Sequence, residues 1–379
     1  MGLSLYIHFP LCSNLCSYCD FYKEIYEPEL EKRYFRALKQ ELLLALDTLE
    51  SDNRILETIY IGGGTPSLVT LPYLEQFLSA LREEFSFSDE VEFSFEINPD
   101  SIDSDRLLRL RGLGINRPIF GIQSFNSRHL KLLNRKHSLS DSFRAVYLAR
   151  ATGFANFGID MIFGMPRQTA RHLSDDLDQV INLAPSHISY YQLTVEENTV
   201  LARKVASGMI KLPGSDLSAA MYRAINEEFR KHQYFRYEVS SFAHPGFECR
   251  HNLRYWEGGD FLGLGPSAHS FIGTRRFANV ADLHKYIDTL SEKRRPLLYD
   301  TDEVGARMTE IIMLGLRTTR GLSRQAFRRR FGIPVEQSVN REMLDLLVHK
   351  GMIDPGGDHI RLSESGLLVA DDIIRRLIK

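Results

Sequence analysis

From the N-terminus to about Thr194, six short runs of β-branched and aromatic residues alternate with helix-length segments. No other feature constrains the fold as strongly. The runs are Leu3–Phe9, Thr58–Ile61, Val91–Ile97, Pro118–Ile122, Phe157–Ile162 and His187–Leu193, with helical stretches such as Glu29–Leu49 and Leu71–Glu84 between them. Strands joined by helical crossovers pair in parallel, so six βα units predict a sheet wound into a barrel or partial barrel. An open doubly wound sheet is the alternative.

Side-chain alternation says what such a barrel encloses. In Val91–Asn98, Val91, Phe93, Phe95 and Ile97 share one face, and Glu92, Ser94, Glu96 and Asn98 share the other. The first set is expected to pack on helices and the second to line a polar lumen. Leu3–Phe9 divides likewise, with Tyr6 and His8 opposite Leu5, Ile7 and Phe9. A strand interior carrying Glu and His calls for a ligand or solvent.

Beyond Glu303 the character changes. A helical run, Arg307–Arg317, precedes Leu322-Ser323, a helix over Val335–Lys350 and a hairpin-like Met352–Leu362, which together read as a small winged-helix-like module. Arg328-Arg329-Arg330 invites a DNA-binding reading. Residues 303–379, however, carry 13 Lys and Arg against 10 Asp and Glu, and the chain as a whole balances 47 basic with 49 acidic residues. A module that packs within the molecule is expected, with no nucleic-acid partner. The first residues lack a charged and apolar leader pattern, Tyr6 stands where a myristoylation signal needs Ser or Thr, and no apolar run reaches membrane-spanning length. A cytoplasmic location, where thiols stay reduced, is the expectation.

Three of the four cysteines, Cys12, Cys16 and Cys19, fall within eight positions. Thiolates so spaced can hold three irons of a [4Fe–4S] cluster and leave the fourth open to a ligand. Zinc, with His8 as a fourth ligand, is the competing reading. Gly62-Gly63-Gly64-Thr65 follows the second strand and lets backbone approach a ligand closely, but it lacks both the P-loop lysine and the dinucleotide spacing.

The segment Tyr6–Phe21, the Gly62–Pro66 turn, Glu96–Pro99, Gly121–Phe125 and Gly158–Asp160 together resemble the radical S-adenosylmethionine (SAM) superfamily, in its coproporphyrinogen-dehydrogenase-like branch. The resemblance spans the chain. It implies a partial (β/α)6 TIM-like barrel of the radical SAM type over residues 1–200, a barrel extension over 201–300 and the winged-helix-like α+β module over 301–379. It further implies that Cys12, Cys16 and Cys19 bind a [4Fe–4S] cluster whose open iron is chelated by SAM. Gly63, Gly64 and Thr65 would lie along the methionine end of that cofactor. Glu96 would meet its polar groups and Arg135 its carboxylate, with Gln123 and Asp160 around the ribose and Tyr6 beside the sulfonium and adenosine.

Two features separate this sequence from the branch's dehydrogenases. Those enzymes carry a further Cys two residues after the third, where Asp20-Phe21 follows Cys19 here, and a longer segment ahead of the Tyr-x-His strand. His251-Asn252-Leu253-Arg254-Tyr255-Trp256 instead resembles the signature of the branch's haem chaperones. That resemblance implies haem as a ligand, with His251 as an axial-ligand candidate and His269 and Cys249 behind it. It also implies an electron donor for the cluster and a haem-acceptor protein, a membrane-associated respiratory protein being one expectation, with peripheral membrane association through that partner. Oxygen-independent coproporphyrinogen III dehydrogenation is the alternative activity. A winged-helix DNA regulator with a redox-sensing cluster is a third.

Overall fold

A computed structural model describes residues 2–49 and 54–378; Met1 and Lys379, the outer ends of the expected domains, lie outside them. The six expected strands are present as β1 (Leu3–Phe9), β2 (Ile55–Gly63), β3 (Ser86–Ile97), β4 (Arg117–Gln123), β5 (Gly158–Phe163) and β6 (His187–Gln192). They pair in parallel in sequence order. The intervening helices carry their own start signals. Pro28–Ala45 opens on a proline with Glu29 and Glu31 in its first turn, and Ala170–Leu183 opens on a Thr169–His172 capping box. Leu71–Glu84 buries Leu71, Leu74, Phe77, Leu78 and Leu81, the spacing of one helical face.

The segment after residue 200 adds strands at both sides of this sheet. They are β7 (Phe235–Arg236), β8 (Ser241–Ala243), β9 (Phe261–Leu264), β10 (His269–Ile272), β11 (Arg275–Asn279) and β12 (Leu297–Thr301). The full order is β12-β11-β10-β9-β1-β2-β3-β4-β5-β6-β8-β7. The strand β9 joins β1 in parallel, whereas the outer strands pair antiparallel. The two ends of the sheet do not pair with each other among the described residues, so the barrel stays open.

Phe93, Phe95 and Ile97 of β3 are buried in the main apolar core against the helices. Glu92, Ser94 and Glu96 point the other way, as the alternation requires. One buried carboxylate ties helix to sheet. Glu41 accepts from the Gly265 N–H (2.7 Å), the Tyr286 hydroxyl (2.5 Å) and the Asn279 amide (2.5 Å), and burial pushes it up to about 7. Glu41→Leu strands three donors, so it is expected to lower stability by about 3 kcal/mol or more, read as a fall in the urea midpoint at unchanged slope.

The C-terminal module has its own apolar core, which includes Ile312, Leu316, Phe327, Leu347 and Ile374. Its first helix runs Val304–Gly315. The single helix expected over Val335–Lys350 is instead a 3-10 turn, Val335–Gln337, followed by a helix Arg341–His349. Asn340 breaks the run by capping the second helix, accepting from the Met343 N–H. Leu322–Ser323, His359–Leu362 and Ile353–Asp354 form a three-stranded sheet. The basic triplet is partly spent inside the molecule: Arg330 donates to the Gly258 carbonyl (2.7 Å) and lies 5.2 Å from the Phe271 ring centroid.

Candidate functional site

The strand ends β1 to β6 converge on the loop that carries the three cysteines. Leu11–Cys12 pairs with Glu24–Ile25 and closes that loop at its base. Its far side is pinned to the segment before Arg135. The Ser17 N–H and hydroxyl donate to the Leu133 and Leu132 carbonyls, and Asn134 donates to the Leu15 carbonyl (2.7 Å). Backbone and amide bonds therefore shape the loop, whatever its thiols hold.

Cys12, Cys16 and Cys19 line one cavity of about 360 Å³, and so do Gly63, Gly64, Thr65, Glu96, Gln123, Arg135 and Asp160. None of the three cysteines is in a disulfide. Among the described residues no three His, Cys, Asp or Glu side chains close to single-ion spacing. His8 is also spent: it accepts from the Tyr6 hydroxyl at Nδ1 (3.0 Å) and bonds the Tyr22 carbonyl through Nε2 (2.8 Å). Burial holds it neutral, lowered to about 4. The zinc reading loses its fourth ligand.

The glycine turn is built for close approach. The Gly64 N–H donates to the Phe9 carbonyl (2.7 Å) and the Thr65 N–H to the Leu11 carbonyl (2.9 Å). A Cβ on Gly64 would stand 2.8 Å from the Leu11 oxygen, and Gly63 has φ +113°. This contact brings the Thr65 hydroxyl to Cys12 Sγ at 3.4 Å. Burial still pushes the Cys12 thiol up to about 11, so cluster loading must displace its proton.

Glu96 accepts from the Tyr60 hydroxyl (2.9 Å) and the Gly63 N–H (3.1 Å). Burial, then the nearby charge of Asp160, raises it to about 7. Asp160 itself is raised to about 6 by burial, against the Ser189 hydroxyl that bonds it. Arg135 donates to Asn98 Oδ1 and the Gly121 carbonyl, both at 2.7 Å, and directs Nη1 at Cys16 Sγ, 3.7 Å away. Its Nε is buried with no partner among the described residues. Gln123 sits at φ +70°, a conformation that costs energy outside glycine and collects at functional sites. Carboxylates on the cavity wall, Glu96 and Asp160 with Asp20 and Glu196, outnumber its cations Arg135 and Lys23. A ligand that brings a sulfonium cation, amino N–H donors and one carboxylate fits that wall, and the unpaired Arg135 Nε offers the carboxylate a donor.

Tyr6 and His251 stand outside this cavity. Tyr6 turns its hydroxyl to His8 and lines a neighbouring space. His251 is buried, bonded to Thr58 Oγ1 through Nδ1 (2.8 Å) and to the Tyr255 hydroxyl through Nε2 (2.7 Å). Burial lowers it to about 3. As an axial ligand it has no free nitrogen in this geometry. It acts as a clamp that fixes Tyr255, while Glu92 receives the Arg250 and His251 N–H groups, both at 3.0 Å, at the start of the helix Arg250–Trp256. Tyr60 and Tyr191 line the main cavity without having been singled out from the sequence, whereas Asn98 lines it as the alternation of Val91–Asn98 expects. Tyr60 was legible by alternation, sharing the Thr58 and Gly62 face of β2.

An open parallel barrel that gathers a three-cysteine loop, a glycine turn and an acidic, arginine-bearing wall at its strand ends defines a radical SAM protein. The Radical SAM superfamily description matches residues 6–180, and the HemN C-terminal domain description matches 306–369. Heme chaperone HemW of Bacillus subtilis is 34% identical over 98% of this chain and 97% of its own length. The Escherichia coli protein of that name is 31% identical over 98% and 97%. Among solved structures, coproporphyrinogen III oxidase (HemN) from Escherichia coli superposes with a TM-score of 0.85 at 25% identity, covering 99% of this chain and 89% of that one. The chain belongs to the radical SAM superfamily and, within it, to the family of the heme chaperone HemW.

Proposed function

We propose that this protein is a haem chaperone that binds haem, a [4Fe–4S] cluster and SAM, and passes the haem to an acceptor protein. The observation that carries the reading is end-to-end similarity, at 30 to 34% identity, to bacterial proteins named Heme chaperone HemW. The departure at Asp20-Phe21 from the dehydrogenase cysteine pattern supports it. Residues 1–200 would supply the core barrel, 201–300 the extension with His251–Trp256, and 301–379 the module.

Within the barrel, Cys12, Cys16 and Cys19 would hold three irons. When bound, the cluster and SAM supply one-electron reductive cleavage of a carbon–sulfur bond. The backbone at Gly63 and Gly64, with Thr65, would support the methionine end. Glu96 would meet its polar groups and Arg135 its carboxylate, with Gln123 and Asp160 around the ribose. Tyr6 would act from behind this wall, through His8. An electron donor for the cluster and a membrane-associated respiratory protein as acceptor complete the proposal. Among the described residues no helix is long and apolar enough to cross a membrane; peripheral membrane association through that acceptor is part of the proposal.

The likeness to the HemN structure keeps porphyrinogen decarboxylation as a second reading. One experiment separates the two: haemin titration of the anaerobically reconstituted protein followed by absorption, beside a product assay with coproporphyrinogen III, reductant and SAM. Saturable haem binding without decarboxylated product is expected. Product accumulating over many turnovers would overturn the chaperone reading.

A further inference from the structure

A second cavity, of about 500 Å³, lies between the barrel and the C-terminal module. That is ample for a ligand of cofactor size. One side is an aromatic wall. Tyr255 packs edge-on to Phe261 with centroids 4.5 Å apart, and Phe271 lies 6.5 Å from Phe261. The opposite side is the module helix Val304–Gly315, which contributes Arg307, Glu310, Ile311 and Leu314. Asp20 and Phe21 line both this cavity and the cysteine cavity, so the two spaces share a partition.

The charged and imidazole groups that line this second cavity are His8, Asp20, His269, Arg276, Arg307 and Glu310. His269 stands at the start of β10 and is solvent-exposed, with Nδ1 bonded to the Tyr299 hydroxyl (3.0 Å) across the β10-β11-β12 ladder. Its Nε2 has no hydrogen-bond partner among the described residues. A hydrogen bond at one ring nitrogen that orients the other is how proteins present imidazole to a metal. Partial desolvation against the cavity wall and the charge of Arg276 hold this ring below the ordinary histidine value. His8 and His251 border the same region with both nitrogens engaged. Arg276 pairs with Glu310 at 2.5 Å across the gap. Arg307 has no ion-pair partner among the described residues, and its Nε is buried and unsatisfied.

We propose that this cavity seats the haem, with Nε2 of His269 as an axial ligand, the Tyr255–Phe261–Phe271 wall against the porphyrin face, and Arg307 with Arg276 receiving the propionates. The assignment rests on the haem-chaperone reading and adds where and by which atoms the haem is held. A flat apolar disc with two carboxylates at one edge and a vacant metal position matches an aromatic wall, two cations and one bare imidazole nitrogen.

The test is ferric haemin titration of the full-length, reconstituted protein as wild type, His269→Gly and His251→Ala, read by Soret position and electron paramagnetic resonance. Glycine at 269 is expected to remove the imidazole-ligated signature and to weaken haem binding roughly 10- to 100-fold. Added imidazole should restore the signature, a rescue that a merely structural role would not give. His251→Ala releases the Tyr255 hydroxyl and should weaken binding by loosening the aromatic wall, but should keep the imidazole-ligated signature. Haem binding by wild type with the signature intact in His269→Gly, or lost there without imidazole rescue, or lost only in His251→Ala, overturns the assignment. Absence of haem binding by wild type overturns the chaperone reading itself, and the seat falls with it.

Discussion

Cys12→Ser/Cys16→Ser/Cys19→Ser is expected to reduce iron after anaerobic reconstitution from roughly four atoms per chain to background, and to abolish the sulfur-to-iron absorption band. Serine keeps the shape of cysteine but replaces a soft sulfur donor with a hard hydroxyl whose proton is far harder to displace. The loop should survive the change, because its anchors are elsewhere: Ser17 to Leu132 and Leu133, Asn134 to Leu15, and the Leu11–Cys12 ribbon. The thermal midpoint of the cluster-free variant should therefore stay close to that of cluster-free wild type. A full iron complement in the triple variant would remove the cluster assignment.

SAM affinity is expected to fall as pH drops through about 7, and Glu96 sets the direction. Burial, then Asp160, raises this carboxyl to about 7 in the cofactor-free protein. Below that pH a proton must leave Glu96 before it can accept from the cofactor's amino group, so Glu96 should raise the dissociation constant about tenfold per pH unit. Above it the carboxylate is already ionised and Glu96 adds no further dependence. The window is bounded below near pH 6, where Asp160 begins to add its own dependence. Glu96→Gln keeps an acceptor for Tyr60 while removing the charge. At pH 8 it should weaken binding by about 10- to 100-fold, the loss of a charged hydrogen bond, and flatten the slope between pH 6 and 8. Calorimetric titration across that range decides, and an undiminished slope in the variant would assign the proton to another group.

The strands β1 to β6 were legible because each is a short β-branched and aromatic run between helix-length segments, and in β1 and β3 alternation separates a helix side from a lumen side. The cysteine loop was legible by spacing alone. By contrast β9 was not, since Phe261–Leu264 is short, lies in a glycine-containing stretch, and pairs with Leu3–Phe9 more than two hundred residues away. Nothing local announces such a partner. The fate of His251 was hidden for a related reason. Its chemistry suits a metal, and only the approach of Thr58 from a distant strand and of Tyr255 from one helical turn away consumes its nitrogens. In the module, Asn340 divided an otherwise continuous helical pattern, a capping signal that the apolar periodicity masked.

The C-terminal module keeps a hydrophobic core separate from that of the barrel, yet its first helix forms one side of the second cavity. Arg276 with Glu310, Arg330 with the Gly258 carbonyl, and the Glu238–Thr318 bridge are among the links across the joint. An opening at that joint would break these polar contacts and the packing of Val239 and Ile311 across it, while leaving the main sheet and most of both interiors in place. Release from the proposed seat would then not require global unfolding. A partner that competes for Glu310 or for the Gly258 carbonyl has a handle on the door without touching the cysteine loop, which stays pinned on the far side of the Asp20–Phe21 partition.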